Sequence, residues 1–315
     1  GGNIISKNGG TALYSGDNSI INISGAALKG ETGGLVFYNY NDGANIKGKY
    51  NIASSSNATV EEGGILLYTE ISNISDLTAK VTNIKNAFTN AANLNVTMNS
   101  GSIGMLVDTP GITANISQLS SLPSLTSGFF NFSGSDYYEY VMKEFDLVLD
   151  NTADSNLDNG IYSKLKFINS NIAIENGVTV AGTKDKQLGA AQRNSEGAVS
   201  ASLRYVINNG VIELSGKDST GLAGDFVTVT NSATGTIKLS GQGSAGIYTA
   251  NGSVSKNDGL IELGGDKNIG IFGQNYFDGT ASSSILGYGD DSVRIVNNKD
   301  IKTKIDVKNL NLFYG

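Results

Sequence analysis

The chain has 315 residues, of which 41 are glycine and two are proline, and it contains no cysteine, histidine or tryptophan. Without cysteine or histidine it lacks a disulfide framework, thiolate metal ligands and the commonest general base. The net charge of −7 argues against a nucleic-acid partner, whose phosphates need a basic surface. We therefore expect no cofactor and no metal in a folded, β-rich chain whose recurring tight turns use glycine.

Short apolar segments recur from the N-terminus onward and predict a series of strands. Ile21-x-Ile23 is followed by Gly34-Leu35-Val36-Phe37, and Leu94-x-Val96-x-Met98 is followed by Gly104-Met105-Leu106-Val107. Their alternation places aliphatic side chains on one face of each strand. Related segments occur at Gly64–Tyr68, Phe145–Leu149, Gly160-Ile161-Tyr162 and Ile172–Ile174.

Residues 69–93 interrupt this pattern with a predicted helix. Its apolar residues fall at steps of four, three and four: Leu77, Val81, Ile84 and Phe88. This spacing forms one apolar stripe, with Ser75 or Asp76 as the N-cap. We expect the helix to lie against the side of the strands, and the alternative is a docking element for a partner.

Residues 115–144 form a second insertion, which is rich in aromatic residues and is broken by Pro123. Tyrosine and phenylalanine on a rigid scaffold suit recognition, because each ring offers a large contact area at a low entropic cost. The alternative is that these rings pack the insertion onto the strands. The predicted binding site consists of Phe129, Phe130, Phe132, Tyr137, Tyr138 and Tyr140.

Residues 183–204 form a third, polar insertion. It contains a small basic cluster made of Lys184, Lys186 and Arg193. We predict a solvated loop or a short helix here.

Three segments near the C-terminal end align without gaps: Asn208–Ala223, Ala233–Tyr248 and Asn257–Phe272. In each, aliphatic and charged residues alternate, as in Ile212-Glu213-Leu214, which predicts a strand with one apolar face. A glycine follows, which can take a positive φ: Gly216, Gly241 and Gly265. A polar turn and a second short apolar strand complete the unit.

A strand repeat of about two dozen residues has the size of one coil of a parallel β-helix. One coil cannot bury its aliphatic face, whereas stacked coils place Ile on Ile and Leu on Leu, roughly 4.8 Å apart. Leucine-rich repeats and propeller blades fit less well, because neither a helical interval nor a hairpin pattern is present. We predict an all-β fold, a right-handed parallel β-helix (solenoid) with inserted loops and a short helix, spanning residues 1–315 as one elongated segment.

Right-handed β-helices also carry polysaccharide-degrading enzymes, whose sites need two or three carboxylates on neighbouring coils. Asp290-Asp291 is the only adjacent acidic pair near a repeat edge, and it lies in a glycine turn, where aspartate is common anyway. Because histidine, tryptophan and a carboxylate stack are all missing, we predict that the chain is not an enzyme.

The repeat N-x-G-x-I-x-L-x-G-x-x-S-x-G-I-Y, seen from Gly235 to Tyr248, resembles repeats in the passengers of large autotransporters, especially the fusobacterial outer-membrane adhesins. The resemblance covers the C-terminal third well and the rest loosely. It implies a long β-helix, exported through a C-terminal barrel, that attaches to host cells or other bacteria through sugars or protein receptors. It carries over no binding residue, because the repeats mark scaffold positions.

The resemblance favours a passenger segment of a Gram-negative autotransporter adhesin, exposed at the outer membrane or secreted. Its ligand would be a host receptor or glycan, or the surface of a partner bacterium. The alternatives are a β-helix polysaccharide-degrading enzyme or tailspike-like depolymerase, and a pure spacer. We interpret the chain as an excerpt, and the lack of an apolar stretch of sufficient length predicts no membrane span.

Overall fold

The computed structural model describes residues 2–42, 45–119, 122–150, 157, 165–194, 204–250, 253–274, 294–297, 301–303 and 313–314. Two sequence predictions, Asp290-Asp291 and Gly160-Ile161-Tyr162, lie outside these residues. The described chain is mostly β, and the strand pairs whose register is described are parallel apart from the short hairpin of Asn41–Asp42 and Asn45–Ile46. Two compact units are formed: Gly1–Ile112, Gln118–Lys143 and Ser163–Lys166 make the first, and Thr113–Ser117, Glu144–Tyr162 and Phe167–Gly315 make the second.

In the first unit the chain visits three sheets in a repeating order. Sheet 1 contains Asn3–Ser6, Ala27–Gly30, Ser56–Val60, Leu94–Met98 and Asn131–Gly134. Sheet 2 contains Thr11–Ser15, Leu35–Asn39, Ile65–Glu70, Ile103–Asn115 and Tyr138–Leu149. Sheet 3 contains Ile20–Ile23, Lys49–Ile52 and Phe88–Thr89. Each return of the chain to a sheet therefore adds one strand beside the previous one.

In the second unit the strands again fall into three sheets. Sheet 4 contains the end of Tyr138–Leu149, then Asn171–Ile174, Tyr205–Asn208, Thr228–Asn231, Val254–Asn257 and Arg294–Asn297. Sheet 5 contains Thr179–Gly182, Val211–Leu214, Thr236–Leu239, Leu260–Leu263 and Ile301–Thr303. Sheet 6 contains Leu188–Arg193, Thr220–Asp225, Ala245–Ala250, Ile269–Gln274 and Phe313–Tyr314. The strand Leu165–Ile168 pairs with Tyr138–Leu149.

The predicted in-register stacking of the C-terminal repeats is confirmed in sheet 5. Ile212 pairs with Ile237, which pairs with Ile261, and all three are fully buried. The leucines two residues later stack in the same way: Leu214, Leu239 and Leu263. Because each repeat leaves its aliphatic face for the next repeat to cover, burial of these columns requires the stack and not the single unit.

Gly216, Gly241 and Gly265 do not adopt the positive φ that glycine permits. These glycines are required by close approach, since a Cβ on Gly241 would lie 1.8 Å from the carbonyl oxygen of Gly216 in the neighbouring layer. The left-handed conformation occurs two residues later instead, at Asp218, Gly243 and Lys267, with φ between 54° and 74°. Only one of these three is glycine, so a count of glycines does not locate the left-handed position.

Buried polar side chains form hydrogen-bonded ladders at two of the corners of the second unit, where the chain turns from one sheet to the next. Asn208 donates from Nδ2 to Oδ1 of Asn231 at 2.9 Å, and Asn231 donates likewise to Asn257 at 2.8 Å. At another corner, the backbone N–H of Ser219 donates to Oγ of Ser244, and the N–H of Ser244 donates to Oδ1 of Asn268. Each layer thereby satisfies a buried polar group of its neighbour, which water cannot reach.

The predicted helix forms from Leu77 to Asn86, after a 3₁₀ turn at Ile74–Asp76. Leu77, Val81 and Ile84 are buried as the spacing predicts. Asp76 is the N-cap residue of the helix, as predicted, but its side chain makes no capping hydrogen bond. Oδ1 of Asn73 accepts a hydrogen bond from the N–H of Ser75 at 3.1 Å and caps the preceding 3₁₀ turn. Two shorter helical segments are Ala91–Asn93 and Ile116–Leu119.

Phe88, which its spacing assigned to the helix, belongs to a strand instead. The helix ends at Asn86, and Phe88 pairs with Tyr50 in sheet 3. The two rings stack with centroids 4.9 Å apart. Because this contact is made with a residue 38 positions earlier in the chain, local spacing does not reveal it.

Of the described part of 183–204, residues 183–187 form a loop as predicted, whereas the prediction is wrong for the residues that follow. Leu188–Arg193 form a strand of sheet 6 that pairs with Thr220–Asp225. A Cβ on Gly189 would lie 2.5 Å from the carbonyl oxygen of Gly221, so a small residue is needed at this place in the sheet. Within the basic cluster, Arg193 makes an ion pair with Asp225 at 3.1 Å.

Candidate functional site

Three of the six predicted binding residues lie in the interior of the first unit. Phe129, Phe130 and Tyr140 are only 7%, 4% and 3% exposed. The Phe129 and Phe130 rings contact Phe88 edge to face, at 5.4 and 5.1 Å between centroids. They belong to a cluster that comprises Phe37, Tyr50, Phe88, Phe129 and Phe130. These rings therefore pack the insertion onto the strands and are not presented to a ligand.

Polar contacts hold the same insertion in place. Lys85, in the last turn of the helix, donates from Nζ to the carbonyl oxygens of Ser124 and Ser127 at 3.1 and 3.0 Å. Its Nζ also lies 5.4 Å from the centre of the Phe129 ring. Burial raises the pKa of the Tyr140 hydroxyl, which donates to the carbonyl oxygen of Pro123. These contacts hold the part of the insertion from Pro123 to Tyr140 within the first unit.

The other three predicted residues, Phe132, Tyr137 and Tyr138, are partly exposed. Phe132 lies in the strand Asn131–Gly134, and Nζ of Lys166 lies 4.7 Å from the centre of the Tyr138 ring. A binding role is geometrically open to these three side chains alone among the six. For them it stays a prediction.

Replacing Phe130 with alanine is expected to lower the free energy of unfolding by about 3–5 kcal/mol, because it leaves a cavity in the aromatic cluster. A shift of the urea midpoint would measure this loss. Tyr40 is the control, since its side chain is 38% exposed and its replacement by alanine should cost less than about 1 kcal/mol. Equal effects of the two changes would contradict the buried role of Phe130.

A row of tyrosines on the outer face of sheet 2 is the clearest surface feature of the first unit. We call Tyr14, Tyr38 and Tyr68 the tyrosine ladder. Tyr14 and Tyr38 are paired in register and stack with centroids 5.3 Å apart and ring planes 19° apart. Tyr38 and Tyr68 lie 5.5 Å apart at an angle of 49°. Tyr14, at the end of the row, is 52% exposed.

The tyrosine ladder arises from a recurring local sequence. Each tyrosine follows an aliphatic or aromatic residue in a strand of sheet 2, as in Ala12-Leu13-Tyr14, Val36-Phe37-Tyr38 and Leu66-Leu67-Tyr68. The preceding residues Phe37 and Leu67 are fully or nearly fully buried, so the next side chain points outward. Sequence reasoning missed this site, although the recurrence of tyrosine after two apolar residues is its signal.

Aliphatic and acidic side chains border the tyrosine ladder. On one side Leu35, Ile65 and Ile103 form an in-register, partly exposed column. Towards the other end of these strands, Glu70 pairs in register with Asp108. Asp108 forms an ion pair with Nζ of Lys143 at 2.9 Å. The outer face of sheet 2 therefore combines aromatic, aliphatic and acidic surface.

Burial and the neighbouring carboxylates raise the pKa of Tyr68. Burial is the larger cause, followed by the charges of Asp108 and Glu70, and together they bring this pKa to about 12. Burial also raises the pKa of Tyr38. A hydrogen bond from the Tyr68 hydroxyl to Asp108 acts in the same direction on the pKa of Tyr68.

The raised pKa of Tyr68 predicts a loss of stability in alkali. An unfolded tyrosine titrates near 10, so the folded state holds this proton more tightly. The resulting stabilisation is complete below about pH 10 and is lost as the pH rises through about 12. Tyrosinate absorbance should show the late titration, and Tyr68→Phe should remove it. Asp108→Asn should lower the pKa but leave it above the ordinary value; an unchanged pKa would exclude the charge of Asp108 as a cause.

The second unit carries a smaller aromatic pair at the corresponding strand position. Tyr248 and Phe272 pair in register in sheet 6, with ring centroids 5.4 Å apart, and both are partly exposed. Ala223 occupies the same position one layer earlier. The outward aromatic position is thus present in both units but is filled by three consecutive tyrosines only in sheet 2 among the described strands.

A shallow groove of about 360 Å³ lies along the outer face of sheet 5. Glu213, Lys238 and Glu262 follow one another in register along it. Lys238 donates to Glu213 at 2.7 Å, and this contact raises the pKa of Lys238. The sequence predicts no stack of carboxylates, whereas in the structure two glutamates share one column with a lysine between them.

No family model, curated protein or solved structure compared with the chain matches it. Within the described residues, the acidic side chains form no group of three or more that could hold a metal ion. In the same part of the chain, no helix is both long enough and apolar enough to cross a membrane.

Proposed function

We propose that the chain is part of a right-handed parallel β-helix from the surface-exposed passenger of a bacterial autotransporter adhesin. The repeated visits to three sheets, with parallel in-register pairing, support the β-helix. Right-handedness is favoured because parallel crossover connections are right-handed in nearly all known cases. The passenger assignment, with exposure at the outer membrane or secretion, rests on the resemblance of the repeat.

The observation that carries an adhesive role is the tyrosine ladder. Its three aromatic rings have centroids 5.3 and 5.5 Å apart and lie on adjacent strands of sheet 2. Two of these strands are paired on both sides, and Thr11–Ser15 is paired on one side as the edge strand. Rigid, amphipathic rings lose little entropy on binding, which suits recognition of another surface. The ligand would be a host receptor or glycan, or the surface of a partner bacterium.

Attachment of protein-coated beads tests this role. Beads that carry the chain should bind host epithelial cells or partner bacteria, and replacing all three residues of the tyrosine ladder with serine should abolish most of that binding. Tyr205→Ser is the control, because Tyr205 is 42% exposed and lies in the second unit. Beads that bind no better than uncoated ones would point to a spacer and would reject the proposal.

The same assay can test the residues of the insertion that reach the surface. A variant with serine at Phe132, Tyr137 and Tyr138 should keep most of the attachment if the tyrosine ladder is the main contact. Loss of attachment in this variant alone, with the fold retained by circular dichroism, would move the binding site to the insertion.

A polysaccharide-degrading enzyme is the second candidate, and the groove on sheet 5 is the observation that favours it. Glycoside hydrolysis uses two carboxyl groups on either side of the scissile bond, and Glu213 and Glu262 face the same groove. Incubation with bacterial surface polysaccharides should release new reducing ends if this function is correct. Glu213→Gln and Glu262→Gln should then each abolish the release, whereas Ser240→Ala in the same groove should not.

A further inference from the structure

The spacing of the tyrosine ladder limits what it can bind. The rings repeat at 5.3 and 5.5 Å because adjacent strands of the sheet are roughly 4.8 Å apart. This period is comparable with the length of one pyranose unit in an extended glycan chain. A linear glycan that runs along the stacking direction would therefore place successive sugars over successive tyrosines.

The groups along the ladder match the chemistry of such a chain. The 52% exposure of Tyr14 and the 49° angle between Tyr38 and Tyr68 leave parts of the ring faces open to sugar C–H groups. Protonated phenols and the carboxylate of Glu70 can donate to and accept from sugar hydroxyls. Polar groups on an apolar platform are the usual composition of a small-molecule or glycan site.

Charge decides which glycans are compatible. Glu70 is exposed beside the ladder, Asp108 lies next to it in register and pairs with Lys143, and the whole chain carries a net charge of −7. Sulfated, phosphorylated or carboxylated glycans would meet the like charge of Glu70 and of the chain as a whole and would bind more weakly than neutral ones. Neutral sugars pay no such penalty.

We infer that the outer face of sheet 2 binds a neutral, linear, extended glycan along Tyr14, Tyr38 and Tyr68. This inference rests on the proposed adhesive function and names the ligand class of the same site. The site accommodates about three sugar units, one for each ring, and the hydroxyls of the glycan also reach Glu70.

Titration of the complete chain with defined oligosaccharides, followed by NMR of the tyrosine rings, tests the inference. The probes are β-1,4-linked glucose and N-acetylglucosamine oligomers of two to five units, with oligogalacturonate as the anionic counterpart. Affinity should rise up to about three or four units and then level off, and oligogalacturonate should bind more weakly than the neutral oligomers. Tyr38→Ala, which removes the middle ring, should weaken binding by about tenfold or more, whereas Tyr205→Ala should leave it unchanged.

Several results would overturn the inference. They are a preference for the anionic oligomer, unchanged affinity in a folded Tyr38→Ala variant, or no dependence on oligomer length. Bead attachment that disappears when target cells are treated with protease, but survives periodate oxidation of their sugars, would identify a protein partner. In that case the adhesive function stands and the glycan class fails. Oligosaccharide binding without any bead attachment would mean that the glycan class stands and the adhesive function fails.

Discussion

Replacing Asn231 with alanine is expected to lower the free energy of unfolding by about 2–6 kcal/mol, the larger effect of two changes that interrupt the stack. Asn231 is fully buried, accepts from Asn208 at 2.9 Å and donates to Asn257 at 2.8 Å. Its Nδ2 also lies 3.3 Å from the carbonyl oxygen of Leu260. Each buried polar group that loses a partner costs about 1–3 kcal/mol, because water cannot replace the lost bond.

An exposed amide ladder in the first unit provides the matched control. Asn95 donates to Asn57 at 3.2 Å and accepts from Asn131 at 3.3 Å, so it also stands in the middle of three asparagines. It is exposed, and Asn95→Ala should change the stability by less than about 0.5 kcal/mol. Urea denaturation, with hydrogen exchange of the strands Tyr205–Asn208 and Val254–Asn257, would measure both variants. Equal losses would show that burial does not set the strength of these ladders.

Replacing Gly241 with alanine is the second change for which we expect a large effect. The new Cβ would lie 1.8 Å from the carbonyl oxygen and 2.4 Å from the carbonyl carbon of Gly216. Both atoms belong to the backbone of the neighbouring layer, so no side-chain rotation relieves the clash. The layers must separate locally, and overpacking of this kind costs about 1–3 kcal/mol or more.

Two neighbouring substitutions separate close approach from backbone conformation. Gln242 is exposed in the same turn, and Gln242→Ala should be almost neutral. Gly243 has a φ of 74°, and a Cβ there would meet only the end of the flexible Asp218 side chain, which can move aside. Gly243→Ala should therefore cost about 1 kcal/mol, mainly through left-handed strain. We expect the thermal and urea midpoints to fall in the order Gln242→Ala, Gly243→Ala, Gly241→Ala. A larger effect at Gly243 would mean that conformation, and not contact between layers, explains the repeated glycine.

Burial determines which of the predicted binding residues are accessible to a ligand. The sequence places six aromatic residues in one insertion, but nothing local separates Phe130, which packs on Phe88, from Tyr138, which reaches the surface. The partner residue Phe88 is 42 positions earlier in the chain and was itself assigned to a helix. Contacts between distant segments therefore determined the outcome, and an insertion that looked like a recognition loop is largely part of the core.

The tyrosine ladder shows the opposite case, in which the sequence held a signal that was not used. Tyr14, Tyr38 and Tyr68 occupy the same place in three related strands. Their strand positions are readable from alternation, but their separations of 24 and 30 residues differ. Register between layers, which the structure supplies, is what brings the three rings together.

By itself, the sequence determined most of the strands and their inward and outward faces, because period-two alternation is a local property. It also determined the vertical pairing of Ile212 with Ile237 and Ile261, because equal repeats stack most favourably in register. Only the tertiary structure decided that a neighbouring carbonyl group leaves no room for a side chain at Gly241, that Phe88 belongs to a sheet and that three tyrosines share one outer face. Each of these depends on a distance between layers, and residues far apart along the chain set that distance.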